Sequence, residues 1–222
     1  LSPLHYLTKY YNSNSIRAYY MPLAYQNFLK NSIQEKKIYD VSFVGSINLF
    51  KSGHFRRLKF LYKISKKNKI KMFLANMGFY RIAISFLRCL IKFDFNSAFY
   101  LIILKLKSSK PKLGIEMLRI IKSSKISLNF HIDVAKNEAA NLRMYEATGS
   151  GSCLLTDFKD NINEIFIDGE EIMTFKNVDE CSRKIDFLFL NNKILKKITK
   201  QGQRRTLSDH SFKNRSEDLV EI

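Results

Sequence analysis

What this 222-residue chain has little of already bounds what it can be. Its three cysteines, Cys89, Cys153 and Cys181, are scattered without any C-x-x-C spacing. That argues against a disulfide framework or a cysteine zinc site and for a reducing compartment, read here as the cytoplasm. The longest apolar runs, around Ile82–Leu87 and Ala98–Leu104, fall well short of the roughly 20 residues a spanning helix needs. No basic-then-apolar leader with a small-residue cleavage site stands at the start; the first residue is Leu1, and a piece of a longer polypeptide is expected. A complete G-x-G-x-x-G is missing as well. Acidic side chains are scarce, 20 Asp and Glu against 38 Lys and Arg, for a formal net charge of +18. Part of that reflects a Lys-, Asn- and Ile-rich composition of the kind AT-rich genomes encode. The remainder favours anionic partners: nucleotide phosphates, acidic lipid headgroups or nucleic acid.

Taken in order, residues 1–37 are aromatic- and Asn-rich with little periodicity, and Met21-Pro22-Leu23-Ala24 reads as an extended linker, because the residue before proline is pushed out of helix. This segment is expected to be the end of a preceding domain or a linker, and 38–222 one Rossmann-like domain. Ile38–Val44 has a strand pattern ended by Gly45-Ser46, and from Phe55 the spacing turns helical. Lys66–Lys71 reads as a solvated helix end leading into a short strand, Lys71–Leu74. Residues 76–112 read as an inserted pair of amphipathic helices with lysines on or near their polar faces. They either pack on the domain or rest on an anionic membrane. A helix from Gly114, a buried strand Ile126–His131, a short helix Ile162–Phe166, a strand Glu171–Phe175, and helices Val178–Leu190 and Lys193–Gln201 follow. The second of these is expected to end at Gly202, and a last helix to lie around Arg215–Ile222. Strand alternating with helix predicts an α/β fold, a Rossmann-like parallel sheet with helices on both faces.

The chemistry concentrates between Asn137 and Asp157, NEAANLRMYEATGSGSCLLTD. Two carboxylates stand in a Glu-x7-Glu spacing, Glu138 and Glu146, with Asn141 and Arg143 between them. A carboxylate accepts two hydroxyl hydrogen bonds, and charge-assisted bonds are the stronger kind. A guanidinium pairs bidentately with a diphosphate. Gly149 and Gly151 would let backbone approach a ligand closely. Against these stand plainer readings: Glu146 as a helix carboxylate stabilised by the dipole, and Gly45-Ser46 as an ordinary strand-to-helix turn. His131 is by itself more often a hydrogen-bonded structural residue than a catalyst.

The segments LGIEMLRIIKSSKISLNFH (113–131), NLRMYEATGSGSCLLTD (141–157), NINEIFIDGEEI (161–172) and GQRRTLSDHSFKNR (202–215), with DVSFVGS (40–46) and Arg56-Arg57, carry a family likeness. They resemble the CgeB-like, or spore-maturation-protein-like, glycosyltransferase domain, itself similar to the C-terminal half of GT-B glycosyltransferases. The resemblance implies a domain that binds a nucleoside-diphosphate-sugar donor, with the acceptor held by a preceding domain. It implies that Glu146 holds the donor's ribose hydroxyls and that Glu138 faces the sugar, although Ala139-Ala140-Asn141 stand where related enzymes carry a glycine-rich segment. Arg143, Gly45, Ser46 and Arg56 become phosphate candidates, and Asn141 and His131 candidates to face the sugar. No cofactor and no metal are implied, since basic side chains and helix N-termini can carry the phosphate charge in such enzymes and no D-x-D is present. The acceptor would be a glycan, a lipid-linked sugar or a protein, of the kind that builds cell-surface polysaccharide.

Other classes stay open. A non-catalytic module of the same fold would dock on a partner or on an anionic membrane through its basic face. A nucleotide-sugar epimerase shares the architecture. Nucleic acid ranks lowest, because the lysines are spread along the chain and the aromatics occupy core positions.

Overall fold

The computed structural model describes residues 1–26, 35–48, 54–91 and 93–221. Six parallel strands, β1 (Tyr39–Ser46), β2 (Lys71–Ala75), β3 (Ser108–Ser109), β4 (Ser124–Leu128), β5 (Cys153–Asp157) and β6 (Met173–Phe175), form one sheet in the order β3-β2-β1-β4-β5-β6. The central strands are short apolar runs buried on both faces, as in a sheet covered on both sides. Alternation sorts their side chains into two cores. Phe43 and Leu155 pack on one face with α2 (Phe55–Lys67) and α8 (Val178–Leu190); Val44 and Leu154 pack on the other with α5 (Gly114–Lys122) and α6 (Leu142–Gly149). The sheet order reverses between β1 and β4, so both strands point their carboxyl ends at one crevice.

The inserted pair between β2 and β3 is helical as expected, α3 (Phe79–Ile91) and α4 (Phe95–Lys107), and the two-residue β3 behind it escaped the sequence reading. The strand expected to reach His131 stops at Leu128: Asn129 still donates its N–H to the Leu155 carbonyl at 2.8 Å, but the His131 N–H goes to the Asp157 carboxylate and the ladder ends. Two short helices complete the domain, α7 (Ile162–Ile165) before β6 and α10 (Phe212–Val220) at the end. Between α8 and α10, α9 runs from Asn192 to Asp209 and does not stop at Gly202. A Cβ there would lie 2.2 Å from the Glu171 carbonyl oxygen, so the glycine permits close packing in mid-helix and caps nothing. The N-terminal α1 (His5–Ser13) is tied to the domain: the Glu138 carboxylate accepts the backbone N–H of His5 and of Tyr6 at 2.5 and 3.0 Å. Tyr25, buried, bridges to Ser211 just before α10.

Candidate functional site

A cleft of about 470 Å³ opens at the carboxyl ends of β1 and β4. Its floor holds Gly45 and Ser46 from β1; its walls come from the start of α2 (His54, Arg57), the loop after β4 (Asn129, His131) and the start of α6 (Asn141, Arg143). Both long walls therefore end in helix N-termini, where backbone N–H groups and the dipole favour an anion. Asn141 caps α6, its side-chain oxygen accepting the Arg143 N–H at 2.9 Å. Its amide donates to Asn129 Oδ1 at 2.9 Å, and Asn129 in turn donates to Thr156 Oγ1 at 3.0 Å. One row of polar groups thus crosses from α6 to β5.

Arg57 is the most informative residue. Only 7% exposed, it donates to the Phe130 carbonyl through Nε and Nη2 and to the Ser46 carbonyl through Nη1. Among the described residues no carboxylate lies within ion-pair distance of it. Burial pulls its pKa down to about 10, partly opposed by the charge of Asp157. Carbonyl hydrogen bonds offset part of the cost of burying this cation, and an anion brought beside it would add Coulombic attraction that neutral carbonyls do not supply. Gly45 lies beneath it, and a Cβ there would press 2.9 Å from the Phe43 ring.

His131 is oriented like a base. Asp157 Oδ1 lies 2.8 Å from both its backbone nitrogen and its ring Nδ1. A carboxylate at Nδ1 fixes the ring and leaves Nε2 with the lone pair in the neutral tautomer. That Nε2 is buried with no partner among the described residues, and the same holds for Nδ1 of His54. Burial and the nearby Arg57 lower the His54 pKa. Asp157 would be raised by its burial, but the His131 ring and Lys159 outweigh this, and its pKa falls below the ordinary carboxylate value.

Arg143 and Glu146 form an ion pair, Nη1 to Oε2 2.6 Å, one turn apart on α6. Burial lowers the first pKa and raises the second, so for each partner desolvation outweighs the mutual attraction. Arg143 lines the cleft; Glu146 stands behind it, linked to the cleft through this pair.

The other residues read from the sequence go to different places. Arg56 is exposed, one helical position from Arg57 and rotated away from the main cleft; it lines a smaller polar groove with Lys136, Asn137 and Lys176. Glu138 lines a third recess with His5 and Glu164, its carboxylate holding the start of α1. Gly149 and Gly151 lie at the opposite edge of the sheet, because a parallel strand begins where the preceding helix ends. A Cβ on Gly149 would sit 2.5 Å from the Tyr25 ring, and Gly151, at φ +74°, faces Gln203. They accommodate packing and a turn, and neither lines the cleft. His54, Arg57, Asn129 and Asp157 complete the site although the sequence reading gave them no role in it. The signal available for two of them was a polar residue ending a buried strand at its carboxyl rim, as Asn129 and Asp157 do.

This sheet order, with a polar cleft at its reversal point, defines a Rossmann-like domain matching the C-terminal domains of GT-B glycosyltransferases. The sequence model of the glycosyl transferase-like family matches residues 105–221, and the chain belongs to that family. Among solved structures it is similar to a glycosyltransferase from Rickettsia africae (TM-score 0.68, 11% identity, covering 99% of this chain and 61% of that one). It is also similar to HepE from Anabaena in complex with UDP (0.65, 9%, 100% and 63%) and to sucrose-phosphate synthase from Thermosynechococcus elongatus (0.63, 11%, 97% and 54%). The chain thus spans little more than half the length of these structures. No curated protein matches its sequence.

Proposed function

We propose that this chain is the donor-binding half of a CgeB-like glycosyltransferase that takes a sugar from a nucleoside diphosphate and gives it to an acceptor hydroxyl. The observation that carries this reading is Arg57, a buried guanidinium with no carboxylate partner among the described residues, in the wall of a cleft lined by two helix N-termini. A diphosphate is the anion whose size and charge suit that arrangement. Arg143 would hold a second phosphate oxygen; Glu146, released from part of its pairing, would take the ribose hydroxyls. Asn141 and His131 would meet the sugar, with His131 Nε2 accepting a hydrogen bond from a hydroxyl. In the reaction the bond from the anomeric carbon to the diphosphate oxygen breaks and one from that carbon to the acceptor oxygen forms. The acceptor's proton leaves to a base or to water, and the basic groups stabilise the departing diphosphate. Similar folds have been solved with UDP and glucose, as in HepE, and with UDP and GlcNAc, as in the pneumococcal O-GlcNAc transferase GtfA. UDP is therefore the first nucleotide to try.

The test is thermal stability with UDP, GDP and their sugars. A ligand bound only by the folded state at a hundred times its dissociation constant adds about 2.7 kcal/mol. One of them should raise the midpoint. Arg57→Lys, which keeps charge and loses the fork, and Arg143→Gln should each cut the shift, while melting cooperatively without ligand. A wild-type midpoint unmoved by every nucleotide would overturn the reading.

A further inference from the structure

The α3–α4 hairpin carries an apolar surface that the rest of the chain does not cover. Its inner side is ordinary core: Cys89, Ala98, Leu101 and Leu104 are buried, and Tyr100 stacks on Tyr62 of α2 at 4.1 Å. Its outer side is apolar too. Exposed Tyr80, Leu87 and Ile91 recur along α3, and exposed Phe95, Phe99, Ile102 and Leu106 along α4, each at spacings that make one helical stripe. At the tip, Phe93 is 81% exposed with φ +54°, a left-handed conformation that bulky side chains rarely adopt. Contiguous exposure on this scale marks an interaction surface. Residues 76–112 also hold seven lysines and arginines and a single acid, Asp94, whose carboxylate accepts the Ser97 N–H as the cap of α4.

We propose that this hairpin docks the protein on an anionic lipid bilayer, the aromatic and aliphatic side chains of its outer stripe entering the headgroup boundary and the flanking cations meeting the lipid phosphates. Charge complementarity selects this occupant. A second copy would bring an equal positive charge to the same surface, and a nucleic acid would gain nothing from the aliphatic stripe. Among the described residues no helix is long and apolar enough to cross a membrane, so the contact is interfacial. Ala75 just before the hairpin and Pro111 just after β3 both line the cleft, so a docked hairpin tethers the cleft to the lipid surface.

The test is co-sedimentation with vesicles of phosphatidylcholine alone and of phosphatidylcholine with phosphatidylglycerol. The chain should sediment with the anionic vesicles, less so at high salt, and not with the neutral ones. Leu87→Ser with Phe93→Ser, both exposed positions, should lower the partition about tenfold or more, and Arg81→Glu with Lys110→Glu should lower it too. Both double variants should keep the wild-type melting midpoint. Equal sedimentation of wild type and variants, binding to neutral vesicles alone, or no binding to either would overturn the proposal. So would a dimer in analytical ultracentrifugation that the Leu87→Ser, Phe93→Ser variant abolishes. Because nucleotide binding is read separately by melting, failure here leaves the donor-site reading standing, and the reverse.

Discussion

The two edges of the sheet are built from similar residues and do different work. At the amino edge, Ser152 Oγ donates to the Ser124 carbonyl at 3.0 Å, and Thr148 and Thr206 share a 2.6 Å hydrogen bond. There the exposed Lys37 donates to the carbonyls of Ser124 and Gly151 at 2.7 and 2.6 Å. At the carboxyl edge, the guanidinium of Arg57 donates to carbonyls and finds no carboxylate among the described residues, and one ring nitrogen of His54 and of His131 has no partner among them. A buried polar group without a partner costs free energy that a paired one does not. The hydrogen bonds named at the first edge close within the chain, whereas the second leaves two buried ring nitrogens open among the described residues.

Three substitutions sharpen or break this contrast. The largest effect belongs to the amino edge: Gly202→Ala drives a Cβ onto the Glu171 carbonyl and should cost about 3 kcal/mol of stability by the usual scale of overpacking. Denaturant unfolding reads this, and the variant should still bind nucleotide wherever it is folded. Next, His131→Ala should weaken nucleotide-sugar binding by about tenfold, the worth of one good hydrogen bond to a charged or oriented group. Calorimetry should show the loss for the sugar nucleotide and little for the bare diphosphate. The smallest effect is pH-dependent. Asp157 has a folded pKa below its unfolded one, so its stabilisation is present above the unfolded value, about 3.9, and is lost as pH falls through the folded value. The stability gap between wild type and Asp157→Asn should hold from pH 7 to pH 5 and close in more acid solution.

Much of the fold was legible in the sequence because strand and helix patterns act locally. Val41–Val44 and Cys153–Leu155 are short apolar runs with turn residues beside them, and the α3–α4 stripes repeat at helical spacing. Arg143, Asn141, His131, Gly45 and Ser46, named from the sequence, do line one crevice, since they sit at strand ends or helix starts. The residues that lie away from that crevice could not be placed without direction in space. Arg56 and Arg57 are adjacent letters, but about 100° of helical rotation separates a solvent-facing side chain from a buried one. Gly149 and Gly151 read as points of close backbone approach to a ligand until the strand after them is given a direction, which puts them at the far edge. Glu138 has the right spacing from Glu146, yet its partner is the backbone of α1, some 130 residues earlier in the chain, and no local pattern announces such a contact. The exposed side of the hairpin reads as core in sequence, since periodicity reports an apolar face without saying what covers it.

Nucleoside-diphosphate binding in the carboxyl-edge cleft can be read at the histidine rings themselves. The most direct measurement is the ¹⁵N spectrum of the histidine rings during titration with UDP and with GDP. His210 is the internal control, since its Nε2 lies 2.9 Å from the Ile165 carbonyl and its Nδ1 2.9 Å from the Arg215 guanidinium. With nucleoside-diphosphate binding in the cleft, His54 and His131 should move with one nucleotide and saturate together while His210 stays in place. Resonances of His54 and His131 that remain fixed at saturating UDP and GDP would contradict it.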